Sequence, residues 1–158
     1  MIRALCAGGL LALLSACASY APTVPAGYTG PLVQLRETGT QQGKLSGQLF
    51  YVESIDGQEV YSSYTKTMQE QKNQGMALRL SLVNHTLPAK PMRLKLRGRT
   101  VDGAPINALF RGGETFDVNR EVSFSPQADG VYRVVGKLQP AGSDVWIEDA
   151  RTAQRVSQ

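Results

Sequence analysis

Along most of the chain, apolar and polar residues alternate in short runs cut by turn signals, and a period of two predicts β-strands. In residues 45–55 (LSGQLFYVESI), Leu49 and Tyr51 fall on one face and Phe50 and Val52 on the other. Asp56-Gly57 follows, a pair suited to the positive-φ positions of a type I′ hairpin turn, so residues 60–64 are expected to return antiparallel. Residues 76–83 (MALRLSLV) place Met76, Leu78, Leu80 and Leu82 on one face. Residues 92–101 repeat the alternation, with Met92, Leu94 and Leu96 inward, and residues 84–91 between the two read as a turn. Residues 65–75 (TKTMQEQKNQG) hold one apolar side chain, Met68. That is too little for a helix to bury, which predicts a long exposed loop.

Further strands are expected over residues 106–110, 115–118, 121–125, 131–138 and 145–148. Asp102-Gly103, Gly112-Gly113, Asp129-Gly130 and Pro140-Ala141-Gly142 punctuate them. No segment after the first 17 residues sustains a helical period, and no internal repeat is visible. Strands recurring about every 8–12 residues with such turns predict a single all-β domain. An antiparallel two-layer β-sandwich, immunoglobulin- or transthyretin-like in general shape, is favoured over a closed barrel. Trp146, the single tryptophan, is a core plug or an exposed interface anchor by its pattern, and core is the expectation.

The N-terminus breaks this pattern. Met1, Ile2 and Arg3 precede an uninterrupted run of 11 apolar and small residues, Ala4 through Leu14. A bilayer core needs roughly 20 residues, so the run is too short to cross one, and it suits the hydrophobic region of a secretory signal. At its end stands Leu14-Ser15-Ala16-Cys17. These four positions resemble the lipobox of bacterial lipoproteins. The resemblance implies cleavage before Cys17, a diacylglycerol on the Cys17 thiol, and acylation, with chains such as palmitate, of the new amino group. One acyl chain holds a protein to a membrane only marginally, whereas a triacylated cysteine exceeds the two-signal requirement for stable anchoring. Ala at position 18, where an Asp would favour inner-membrane retention, implies the outer membrane and its periplasmic face.

The expected organisation is a signal peptide over residues 1–16, a lipidated Cys17 with a tether to residue 31, and a sandwich over residues 32–158. Prolines at 22, 25 and 31 with glycines at 27 and 30 predict an extended, flexible tether. At about 3.1 Å per residue it would reach on the order of 40 Å. Cys6 falls in the leader and Cys17 would be acylated, so the domain itself carries neither thiol nor disulfide.

Candidate chemistry is sparse. His85, the one histidine, sits in Asn84-His85-Thr86 and could be joined only by carboxylates in a metal site, or by serine and a carboxylate in a hydrolytic one. No G-x-S-x-G nucleophile elbow is present, and the acids are scattered, Glu53, Asp56 and Glu59 about a hairpin and Glu148-Asp149 at a strand end. A turn histidine without a catalytic part is the expectation, with no cofactor and no small-molecule substrate.

The charge distribution adds one asymmetry. Without the leader's Arg3, 16 basic residues face 13 acidic ones, yet Lys90, Arg93, Lys95, Arg97 and Arg99 form a stretch of +5 with no acid among them. Everything outside this stretch therefore sums to about −2. Arg93, Lys95, Arg97 and Arg99 share one strand face, a ladder roughly 20 Å long. It could contact lipid phosphates, lipopolysaccharide or an acidic envelope protein. It could equally be a solvated face neutralised by cross-strand acids, or a device that blunts an edge strand. No aromatic residues interleave with it, and nucleic acid is not expected. The resulting expectation is a lipid-anchored envelope protein with a non-enzymatic binding or structural role. An accessory lipoprotein of a secretion or envelope-assembly machine is the alternative, and an envelope hydrolase with carboxylates about His85 the lesser one.

Overall fold

The computed structural model describes residues 20–157 apart from Asn73, Arg111 and Gly113. Among the described residues, nine strands and two short helices follow in chain order: β1 (Leu32–Arg36), β2 (Thr38–Gln42), β3 (Ser46–Ile55), β4 (Gln58–Glu59), α1 (Ser63–Gln71), β5 (Asn84–Pro88), β6 (Met92–Asp102), α2 (Asn107–Phe110), β7 (Asp117–Phe124), β8 (Val131–Lys137) and β9 (Asp144–Asp149). The fold is an all-β two-layer sandwich. One sheet runs β5-β1-β8-β9 and the other β2-β3-β6-β7, with β4 added to β3. Neighbours are antiparallel except β1 and β8, which pair in parallel over Gln34–Arg36 and Val131–Arg133.

The layers meet over the alternating side chains. Phe50, Val52, Leu94, Leu96, Val122 and Phe124 from one sheet pack against Val33, Leu35, Leu87, Tyr132, Val134, Val145 and Ile147 from the other. Gly136 is required there, since a Cβ on it would stand 2.5 Å from Phe50 Cδ1 and 2.5 Å from the Asp144 carbonyl. The register explains why β3 is apolar on both faces. Leu49 and Tyr51 point outward into a second cluster with Leu78 and Val101, covered by Tyr64, Met68 and Leu80.

Several local expectations change. The Asp56-Gly57 turn has positive φ at both residues (48° and 83°), but its return strand is only Gln58–Glu59. Val60 then dives into the core and Ser62 caps a helix. That helix, α1, occupies residues 65–71 of the loop expected over 65–75. It docks through a polar stripe: Ser63, Thr67 and Gln71 lie four apart on one face and are buried. Ser63 Oγ accepts from Val83 N (2.8 Å), Thr67 Oγ1 from Ser81 N (3.0 Å), and Gln71 Nε2 donates to the Ala77 carbonyl (2.7 Å). Residues 76–83 are consequently no strand, because side chains of α1 take the backbone groups a neighbouring strand would take. Leu78 is buried, whereas Met76 and Leu82 are exposed.

Residues 84–88, expected to turn, are the edge strand β5, with His85 and Leu87 inward against β1. The expected strand at 106–110 is the helical turn α2, anchored by Asn107 Nδ2 donating to the carbonyls of Leu45 and Met76. The two short strands expected over 115–125 are the single strand β7. Trp146 is half-buried on the outer face of its sheet, 5.6 Å below the Arg155 guanidinium, because Val145 and Ile147 take the inward positions. From Tyr20 onward the expected free tether is a strap along the domain. Ala21 N donates to the Glu59 carbonyl (2.9 Å), Thr23 Oγ1 to the Thr86 carbonyl (2.8 Å), and Ala89 N to the Pro31 carbonyl (2.9 Å). Proline and glycine suit such a strap, which needs few backbone donors.

Candidate functional site

Cys17, the expected lipid attachment point, lies outside the described residues. The four ladder cations lie on β6, and β6 lies between β3 and β7, so they do not guard a sheet edge. Cross-strand register instead brings acids to them. Arg97 grips Asp117 bidentately, Nε to Oδ1 at 2.8 Å and Nη2 to Oδ2 at 2.7 Å, and its Nη1 reaches Glu53 Oε1 at 2.5 Å. Lys95 Nζ stands 2.7 Å from Glu53 Oε2, and Arg99 Nη2 stands 3.8 Å from Asp117 Oδ2. The Arg99 guanidinium also lies over the Tyr64 ring, 4.4 Å from its centroid. Arg93 is exposed, and its side chain has no acid partner among the described residues.

The titration behaviour of this face follows from those pairs. The Arg97 fork holds the Asp117 carboxyl below its ordinary value against a smaller opposing effect of burial. For Glu53 burial pushes upward, and hydrogen bonds from Lys95 and Arg97 more than reverse it. Burial pushes the Tyr51 phenol up to about 12, despite Arg99 beside it. Arg97 is held protonated still more firmly than usual, chiefly by Asp117. The ladder is thus mostly an internally neutralised network, with its open cation at the Arg93 end.

A second polar constellation was not legible in the sequence. Glu37, 2% exposed, sits where the chain leaves β1 in one sheet and enters β2 in the other. Its Oε1 accepts from Val52 N (2.9 Å), beside the register shift between Val52 and Ser54, and lies 2.7 Å from His85 Nε2. Its Oε2 accepts from Ser63 N (2.5 Å) at the first turn of α1, where the helix dipole favours a carboxylate. One acid therefore joins both sheets, the bulge and the helix. His85 is buried in a strand and not in an exposed turn. Ser63, His85 and Glu37 are all closed to solvent, and the Ser63 hydroxyl accepts from Val83 N. This geometry seals a fold junction; it does not present a nucleophile. The available signal was a lone acid ending an alternating run, Leu32 to Arg36, in a chain whose one histidine needs a partner.

An open groove of about 700 Å³ runs between α1 and the segment ahead of β7, lined by Tyr64, Met68, Lys72, Arg99 and Phe116 among others. Among the described residues no cluster of three or more His, Cys, Asp or Glu side chains could hold a metal ion. No described helix is long and apolar enough to cross a membrane.

No family model, curated protein sequence or solved structure matches the chain.

Proposed function

We propose that the protein is an outer-membrane lipoprotein of the bacterial envelope that acts as a non-enzymatic binding module. The observation that carries this reading is Leu14-Ser15-Ala16-Cys17, set at the end of an 11-residue apolar run and followed within a few residues by a strap packed along the β-sandwich. In this reading the lipid on Cys17 supplies location, and the sandwich offers a surface to an acidic partner or an anionic headgroup. The surface we assign is the Arg93 end of the β6 face. There the cation is exposed, whereas Lys95, Arg97 and Arg99 serve the face itself through Glu53 and Asp117.

The experiment is crosslinking capture from intact envelopes with the lipidated protein, comparing Arg93→Glu with Arg120→Glu as a charge-matched control on β7. Loss of the captured partner or of anionic-vesicle binding in Arg93→Glu alone supports the assignment. Equal capture by both variants and the parent would remove Arg93 as the contact.

A further inference from the structure

The short span between the anchor and the first packed residue sets how the domain meets the bilayer. Tyr20 is already seated: its ring packs edge-to-face on Tyr61 (centroids 5.5 Å apart, 72° between planes), and the next residue, Ala21, is hydrogen-bonded to Glu59. Only Ala18 and Ser19 separate Tyr20 from Cys17. Three Cα steps span at most about 11 Å. The headgroup layer of one leaflet is about 5–8 Å thick, from the difference between the full bilayer and its hydrocarbon core. An acylated Cys17 is held at the inner edge of that layer, so the leash ends close to its outer edge. There is no slack for the tens of ångströms that a free tether of residues 18–31 would allow.

We infer that the rim of the sandwich bearing Tyr20 and Tyr61 lies against the lipid headgroups, a reading that rests on acylation of Cys17. The chemistry of the rim fits that place. Tyr20 and Tyr61 are 41% and 37% exposed, and tyrosine, with an apolar ring and a polar tip, suits a boundary that is apolar on one side and wet on the other. Tyr61 Oη donates to Gln69 Oε1 (2.9 Å), which ties the ring to α1 and fixes the rim as one rigid surface. Tyr20 also shares a cleft with Arg97 and Arg99, so the neutralised β6 face begins at the membrane-proximal rim. The β8–β9 turn belongs to the other sheet, and in this reading it is the end held away from the bilayer.

The test uses full-length lipidated protein in vesicles of phosphatidylethanolamine and phosphatidylglycerol that carry headgroup spin labels. The mature protein has no free thiol, so single cysteines can report position through an attached fluorophore: Glu59→Cys, beside Tyr20 at the rim, and Ala141→Cys in the β8–β9 turn. Both sites are exposed. The expected result is several-fold stronger quenching at position 59 than at 141. A linker of about 20 Gly/Ser residues between Ser19 and Tyr20, with an r.m.s. span of roughly 25 Å, should erase the difference. Vesicle flotation of the same samples separates the two claims. Protein that floats but is quenched equally at both sites overturns the apposed rim alone. Protein that fails to float overturns the acylated anchor, and the apposed rim with it.

Discussion

Replacing Glu37 with Ala should damage the fold more than any other single polar change. The substitution strands three buried donors, Val52 N, Ser63 N and the His85 imidazole. Leaving one buried polar group unsatisfied costs about 1–3 kcal/mol, and three are left so here. These figures describe overlapping losses, so a total near 4 kcal/mol is expected, against about 5–15 kcal/mol for a whole domain. With an m-value of about 2 kcal/mol/M in urea, the unfolding midpoint should fall by roughly 2 M. Trp146, half-buried beneath Arg155 and joined through β9 to the core, reports the transition by its fluorescence. Glu37→Gln retains one acceptor, the amide oxygen, in place of two, so its loss should be intermediate. A cycle with His85→Ala should show coupling of about 1–3 kcal/mol, since the two residues share one network. A Glu37→Ala midpoint close to the parent's, or additive losses in the cycle, would refute the view that this acid ties the sheets, bulge and helix together.

Three further outcomes follow from named contacts. Gly136→Ala should destabilise by about 1–3 kcal/mol, because its Cβ collides with both Phe50 and the Asp144 backbone, and urea unfolding reads this directly. Asp117, held below its ordinary value of 3.8 by Arg97, contributes stability that is complete above that value and is lost as pH falls through the folded-state value. Because the pair is well exposed, the contribution is about 0.2–1 kcal/mol. Asp117→Asn should therefore flatten the acid limb of a stability-versus-pH profile and leave its shape near neutrality unchanged. Thr67→Val should remove the acceptor for Ser81 N and cost about 1–3 kcal/mol, with raised hydrogen exchange at Ser81 and its neighbours.

The sandwich was legible because its core strands obey a simple period. Met92, Leu94 and Leu96 occupy the inward positions that alternation gives them, whereas on β9 Val145 and Ile147 point inward in place of the expected Trp146. The elements that escaped are those held by polar side chains. α1 has little apolar content and forms because Ser63, Thr67 and Gln71 substitute for a strand edge, a role that hydropathy cannot register. His85 enters β5 as an inward residue only because Glu37, 48 positions earlier, waits in the core. The ladder was visible as a stretch of charge, while its neutralisation depended on which acids β3 and β7 would bring alongside. Glu53 and Asp117 are 44 and 20 residues from Arg97, so only the register joins them. The strap was misread for a related reason: proline and glycine mark a segment that forms no sheet of its own, and they are silent on whether it lies along one.

The central claim is that lipid on Cys17 holds this sandwich at the membrane. Metabolic labelling with palmitate in cells expressing the full chain, beside Cys17→Ser, tests it most directly. The account predicts label in the parent protein, none in Cys17→Ser, and retention of the uncleaved leader in that variant. Palmitate that persists in Cys17→Ser, or an unlabelled parent released from membranes, would contradict it.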